Sequence, residues 1–158
     1  EAATLEPLHE HLFEYKTHMM QNYGAGVQAC YRGPRLYDTP ETQAAVTEVI
    51  QWYKKYRDIL NSDMIHLRRP DARDWDGFIH VNPHKKEKGL AMFFNPAHQE
   101  ITRTIHIPLY YTGLTQTARI REKEQKPVTY KLNRDYTVEL TVKIPANGYT
   151  WYVVEAAD

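Results

Sequence analysis

The sequence predicts an α+β protein in which N-terminal helices precede an antiparallel β-sandwich of roughly seven to eight strands. As far as Leu60, apolar residues recur at three- and four-residue spacing, which is typical of helices. Beyond Asp63 they mostly alternate with polar residues, and turn-forming residues separate the alternating stretches. We therefore divide the chain into a helical segment at 1–62 and a sandwich at 63–158.

The first helix is predicted from a row of apolar residues on one face. Its members are Leu5, Leu8, Leu12, Tyr15 and Met19. Pro7 is compatible with it because the first turn of a helix tolerates proline. We expect the helix to end near Asn22, with Gly24 in the left-handed conformation that commonly follows a helix. The first half of the segment 26–38 is predicted to form a short strand before a turn at Gly33-Pro34.

The second helix has clear signals at both ends. Thr39 is expected to cap it and Pro40 to occupy its first position. Asn61-Ser62-Asp63 is expected to end it. Its apolar face consists of Val46, Val49, Ile50, Tyr53, Tyr56 and Leu60.

The sandwich strands are predicted from short alternating or apolar stretches. They lie near 64–67, 77–81, 90–94, 101–109, 118–121, 130–132, 136–144 and 149–155. Asn147-Gly148 is typical of a two-residue hairpin turn, so the last two strands are expected to pair with each other.

The composition excludes several classes of partner and cofactor. The 158 residues include 20 Lys+Arg and 20 Asp+Glu, which gives a formal net charge of zero. Such a chain lacks the basic excess that attracts nucleic acid. No apolar run approaches the roughly 20 residues that cross a bilayer, so no membrane partner is expected. The single cysteine excludes a disulfide framework, and no histidine pair has the spacing of a zinc protease. We therefore expect no metal site and no cofactor.

The loop before the second helix is a candidate carbohydrate-binding site. It contains Arg32, Arg35, Tyr37 and Asp38 around a Gly-Pro turn, between a predicted strand and a well-capped helix. In a β/α barrel such a loop faces the active site, where Arg and Tyr hydrogen-bond to and stack on a hydroxyl-rich ligand. The alternative is that these side chains hold the turn in place.

Sandwich aromatics form the second candidate site. They include Trp75, Tyr110, Tyr111, Tyr149, Trp151 and Tyr152. We select Trp75, Tyr111 and Trp151 as the candidate sugar platform, since aromatic rings stack on the apolar faces of sugars. The alternative is packing in the core or between domains, where aromatic side chains bury a large area.

Three groups of residues carry a resemblance to a known enzyme family. They are 23–37 (YGAGVQACYRGPRLY), 52–60 (WYKKYRDIL), and 92–96 (MFFNP) followed by 107–111 (IPLYY). These residues resemble the C-terminal end of bacterial α-galactosidase-like glycoside hydrolases, in which a TIM barrel precedes an antiparallel β-sandwich. The resemblance implies that residues up to about Leu60 are the end of the barrel, with its last strand at Val27–Tyr31. It also implies that the catalytic carboxylates lie on earlier barrel strands, so no catalytic residue is assigned in this chain.

The sequence thus predicts the C-terminal accessory region of a glycoside hydrolase, which supports a catalytic barrel and has no activity alone. Its expected partners are that barrel, in the same parent chain, and a carbohydrate. The opening residues Glu1-Ala2-Ala3 lack an initiator Met, so we expect a piece of a longer protein. A surface that faces the absent barrel would also let the chain self-associate.

Two other functions stay open at this point. One is a carbohydrate-binding module with an aromatic sugar platform, and the other is a free-standing interaction domain. The localisation is also open, because a chain nearly free of cysteine fits the cytoplasm as well as a periplasm. A periplasmic or secreted parent is the expectation that goes with the resemblance.

Overall fold

The computed structural model describes residues 5–28 and 33–158. In this part of the chain, two α-helices are followed by eight strands in two sheets, which confirms the predicted α+β class. Every strand pair is antiparallel. The chain divides into two compact units, residues 1–60 and 61–158.

The helical unit contains helices α1 (Leu12–Gly24) and α2 (Pro40–Leu60), with a 3₁₀ turn at Leu8–His11 before α1. The rings of Tyr23 and Tyr53 lie 5.0 Å apart between the two helices. The residue in the left-handed region is Gly26, at φ 73°, whereas Gly24 is helical. The predicted cap was therefore placed too early, because α1 continues through Gly24 before the chain turns.

Helix α2 begins as the sequence predicts. Pro40 is its first residue, and the backbone N–H of Thr42 donates to Thr39 Oγ1 over 3.3 Å. This bond satisfies one of the amides that a helix leaves without a partner at its N-terminus. Residues 29–31 of the strand expected at 27–31 lie outside the described residues, and the described residues Val27 and Gln28 are not in a strand.

The sandwich unit contains strands β1 to β8. Their bounds are β1 Asp63–Arg68, β2 Asp76–Val81, β3 Glu87–Phe94, β4 Ile101–Pro108, β5 Thr117–Glu122, β6 Val128–Lys131, β7 Thr137–Ile144 and β8 Tyr149–Glu155. One sheet has six strands in the order β1-β2-β3-β8-β5-β6, and the other consists of β4 and β7.

The core lies between the two sheets. Strand β7 alternates strictly, with Val138, Leu140, Val142 and Ile144 buried in the core and the residues between them pointing outward. Phe93 and the other alternate residues of the six-stranded sheet complete the same core. Outside the core, the two-stranded sheet exposes polar residues, as a sheet that faces water does.

The six-stranded sheet is apolar on its second face as well. Its central strands carry continuous apolar runs, Leu90–Phe94 in β3 and 151–154 in β8. Side chains that alternate with those of the core are also buried, namely Leu90, Met92, Phe94, Trp151 and Val153. A continuous apolar run of this kind is typical of a strand that is buried on both faces.

The turn at Asn147-Gly148 joins two different sheets. Asn147 has the left-handed φ of 50° that an Asn-Gly turn favours, so the local turn was predicted correctly. The predicted hairpin is wrong, however, because β7 pairs with β4 while β8 pairs with β3 and β5. The backbone N–H of Asn147 donates to the Ala97 carbonyl over 2.8 Å, which is in the neighbouring crossover from β3 to β4.

Candidate functional site

Asp38, from the first candidate site, is fully engaged within the helical unit. Its Oδ2 accepts a hydrogen bond from the backbone N–H of His9 at 3.1 Å. The same oxygen lies 2.8 Å from Nδ1 of the His9 ring. Its Oδ1 accepts a bond from Thr42 Oγ1 at 2.9 Å. Although desolvation raises the pKa of this carboxyl group, the hydrogen bonds from His9 and Thr42 outweigh it and hold the pKa of Asp38 well below its usual range. The observed role of Asp38 is to tie the loop to the start of α2.

The other residues of that loop are more exposed. Arg35 pairs with Glu6, the Nη2 to Oε2 distance being 2.8 Å. Tyr37 is exposed and Arg32 lies outside the described residues. Binding of a substrate by this loop stays a prediction, and the contacts seen there are those of a pinned turn.

Two members of the predicted sugar platform lie on opposite sides of the six-stranded sheet. Trp75 packs on the core side, 5.9 Å from the ring of Phe93. Trp151 belongs to the second face, and only 6% of it is exposed. Since the sheet separates the two rings, they do not form one platform.

Ion pairs engage the carboxylates beside Trp75. Arg68 Nη2 lies 2.9 Å from Asp71 Oδ2, and Arg103 Nη2 lies 3.1 Å from Asp74 Oδ1. The hydrogen bond from Arg68 holds the pKa of Asp71 well below its usual range. These contacts are those of a solvated, salt-bridged loop.

Tyr111 is the member of the predicted platform that faces solvent. It belongs to the 3₁₀ turn Tyr110–Thr112, which lies in the crossover from β4 to β5. Tyr110 is 61% exposed and Tyr111 is 64% exposed, and their rings meet edge to face at 5.1 Å. The ring of Tyr136, from the crossover between β6 and β7, meets Tyr110 edge to face at 5.4 Å. We call Tyr110, Tyr111 and Tyr136 the tyrosine cluster.

The tyrosine cluster lines two adjoining concavities at one end of the sandwich. The first has a volume of about 470 Å³ and is lined by all three tyrosines together with Pro83, Gly113, Leu114 and Thr115. The second has a volume of about 360 Å³ and is lined by Asp63, Ile65, Val81, Pro83 and Tyr111. Sequence reasoning missed Pro83 and Tyr136, because each comes from a separate loop and only the fold places them beside Tyr110-Tyr111.

Residues 5–28 and 33–158 contain neither a candidate metal centre nor a helix that could span a membrane. Within these ranges, no group of three or more His, Cys, Asp or Glu side chains is arranged to hold a metal ion. No helix there has the length and apolar composition needed to span a bilayer.

The fold is similar to parts of solved carbohydrate-active enzymes. A GH27 β-L-arabinopyranosidase from Geobacillus stearothermophilus matches 90% of this chain with a TM-score of 0.58 and 10% identity. The α-galactosidase I of Mortierella vinacea matches 89% of it with a TM-score of 0.57 and 9% identity. An α-amylase from Geobacillus thermoleovorans matches 84% with a TM-score of 0.50 and 11% identity.

The chain spans only part of each of these enzymes, namely 31%, 35% and 26% of their lengths in the same order. No protein-family model matches the chain, and no curated protein matches it by sequence. The likeness therefore establishes a fold that is shared with a portion of glycoside hydrolase structures.

Proposed function

We propose that this chain is the accessory sandwich region, with its preceding helices, of an α-galactosidase-like glycoside hydrolase, and that it supports that enzyme's catalytic barrel. The observation that carries the proposal is the apolar second face of the six-stranded sheet. The fold likeness to an α-galactosidase and a β-L-arabinopyranosidase, of which this chain spans 35% and 31%, supports it.

The second face of the six-stranded sheet is apolar, whereas the outer surface of the two-stranded sheet is polar. The outer positions of β4 and β7 carry Thr102, Thr104, Thr141 and Lys143, which are all exposed. The second face of β3 and β8 instead carries large apolar side chains, and burying each of them is worth about 1.5–3 kcal/mol. A sandwich built only to stand in water would have polar residues on both outer surfaces.

Aromatic rings extend this apolar face across neighbouring strands. The ring centroids of Phe78 and Phe94 lie 6.0 Å apart, and those of Phe94 and Tyr149 lie 6.5 Å apart. At the β1 edge, His66 meets Phe78 edge to face at 6.5 Å. Broad apolar and aromatic surfaces of this kind are typical of permanent interfaces, which resemble a domain core cut in half.

In this proposal the barrel performs the hydrolysis and the sandwich stabilises it. The test uses the full protein that contains this chain, the 158-residue chain alone, and p-nitrophenyl α-D-galactopyranoside and β-L-arabinopyranoside as substrates. We expect turnover of one substrate by the full protein and none by the chain alone. Turnover by the chain alone, or a parent without a barrel of roughly 250 residues, would overturn the proposal.

A pair of substitutions in the full protein tests the supporting role. Met64→Asp introduces a charge at an exposed apolar side chain of β1, which the pairing of Met64 with His80 places on the second face, and Thr104→Asp introduces the same charge on the exposed outer surface of β4. The first variant should inactivate at a clearly lower temperature than the parent, and the second should match the parent. Equal thermal inactivation of both variants would contradict a supporting role for this face.

A further inference from the structure

We propose that the tyrosine cluster is a binding site for neutral carbohydrate chains. The choice of ligand rests on the proposed function, since it takes the parent protein to be a carbohydrate-active enzyme. The site itself is argued from the exposure of the rings, the shape of the surface, the absence of charged groups from the larger concavity and the backbone hydrogen bonds that hold the rings.

The ring arrangement leaves broad aromatic surface available to a ligand. Tyr110 and Tyr111 have planes inclined at 89°, and Tyr110 and Tyr136 at 74°. Two nearly perpendicular ring pairs form corners rather than a closed stack. In each corner one ring face can pack on the C–H face of a pyranose while the neighbouring ring flanks its edge.

The two concavities that adjoin the tyrosines suit a chain of sugar units rather than a single one. They share Pro83 and Tyr111, so a ligand that passes Tyr111 contacts both. Their volumes of about 470 and 360 Å³ each lie within the range of about 300–1,000 Å³ of small-ligand sites. An extended oligosaccharide fits this pair of adjoining depressions.

The polar chemistry of the site selects a hydroxyl-rich and uncharged ligand. The larger concavity has no carboxylate, ammonium or guanidinium group in its lining, and the smaller one has a single carboxylate, that of Asp63. A carboxylate accepts hydrogen bonds from sugar hydroxyls and disfavours an anionic ligand. Within the described residues, none of the three tyrosine hydroxyls forms a hydrogen bond to another part of the chain. Each hydroxyl is thus able to donate to and accept from sugar hydroxyls, while the rings supply apolar contact.

The backbone holds the cluster rigidly. The N–H of Leu109, a fully buried residue, donates to the carbonyl of Tyr136 over 2.9 Å and joins the two crossovers. Buried Thr112 donates its hydroxyl to the Leu109 carbonyl and closes the 3₁₀ turn. Tyr136 has a φ of 62°, which is an uncommon conformation for a bulky side chain. Rings that are positioned in advance lose less conformational entropy when a ligand binds.

The experiment uses the 158-residue chain in native gels that contain soluble galactomannan, arabinogalactan or starch. We expect retardation in at least one of these gels. Tyr110→Ala/Tyr111→Ala should weaken the association constant about tenfold or more, because aromatic side chains at the centre of a site dominate binding. Tyr110→Phe/Tyr111→Phe should retain most of the retardation, since it keeps both rings. Phe13→Ala, at an exposed aromatic side chain of the helical unit that belongs to neither candidate site, is the matched control and should bind like the parent.

Three results would overturn the proposal. In the first, none of the three gels retards the parent chain. In the second, the double alanine variant is retarded as strongly as the parent chain. In the third, no gel retards either protein, and the parent chain is a dimer whereas the double alanine variant is a monomer. The last result would assign the surface to a second copy of the chain. An unretarded parent chain, when the full protein still hydrolyses a p-nitrophenyl glycoside, would overturn this proposal alone. Retardation of the chain, when the full protein hydrolyses neither substrate, would overturn the proposed function alone.

Discussion

Replacing Asn95 with alanine should destabilise the sandwich by about 3 kcal/mol. Asn95 follows β3 and is 2% exposed. Its Nδ2 lies within hydrogen-bond distance of three carbonyl oxygens, those of Gln99 at 2.8 Å, Pro145 at 3.1 Å and Ile144 at 3.2 Å. Its Oδ1 accepts a bond from the backbone N–H of Ala97 at 2.9 Å. The Asn95 side chain therefore joins the crossover from β3 to β4 to the crossover from β7 to β8.

The magnitude follows from the number of hydrogen bonds. An amide nitrogen carries two hydrogens, so the three carbonyls share two bonds, and the oxygen makes a third. At about 1 kcal/mol for each net hydrogen bond, the loss is about 3 kcal/mol. For a unit of this size, that loss lowers the melting temperature on the order of 10–20 °C.

Urea unfolding followed by tryptophan fluorescence measures the change. Asn95→Asp should be at least as destabilising as Asn95→Ala at neutral pH, because a carboxylate would face carbonyl oxygens and has no hydrogen to donate. Asn133→Ala is the control, since its side chain bonds to Thr137 Oγ1 in an exposed turn, and it should cost less than about 1 kcal/mol. The reasoning fails if Asn95→Ala is within about 1 kcal/mol of the parent chain, or if Asn95→Asp is more stable than Asn95→Ala.

Two further predictions concern packing and pH. Gly77→Ala should lower the free energy of unfolding by about 2 kcal/mol or more, because the new Cβ would lie 2.5 Å from the Met92 carbonyl oxygen. Gly89→Ala should lower it by less, because its Cβ would meet side-chain atoms at 3.2 Å. Equal melting temperatures for the two variants would contradict this. Asp38 has a lowered pKa in the folded chain, so it contributes stability above its unfolded pKa of about 3.9, and this is lost as the pH falls. Asp38→Asn should therefore reduce the loss of stability on acidification, measured by urea midpoints between neutral pH and about pH 2.5; an unchanged pH dependence would count against the argument.

The strands and α2 were predictable because their signals are local. The strict alternation of β7 gives one buried face, and Thr39-Pro40 sets the beginning of α2. Strand pairing was not predictable in the same way. Asn147-Gly148 specifies a tight turn, but a turn does not determine whether the strands on either side belong to one sheet. Here the hydrogen bonds of Asn95 and Asn147 direct the chain into the other sheet instead.

The candidate site was only partly predictable because exposure is a property of the fold. Trp151 and Tyr111 are both aromatic residues in the sandwich, and nothing in their sequence neighbours distinguishes a buried ring from an exposed one. The continuous apolar run around Trp151 does indicate burial on both faces of its strand. Tyr136 could not be joined to Tyr110 in advance, because their contact depends on two crossovers that lie side by side.

The two ends of the sandwich differ in a way that separates stability from binding. At one end, the crossovers are joined by a buried amide whose hydrogen-bonding groups all have partners. At the other end, a backbone bond between Leu109 and Tyr136 joins the crossovers, and the rings of Tyr110 and Tyr111 stay exposed. Closure of that end does not require those two rings. Removing both should therefore lower the free energy of unfolding by about 1 kcal/mol or less, against about 3 kcal/mol for Asn95→Ala. Only the tyrosine substitution should weaken retention on carbohydrate gels. If both substitutions lower stability equally, the tyrosines hold the fold together and their exposure needs no ligand to explain it.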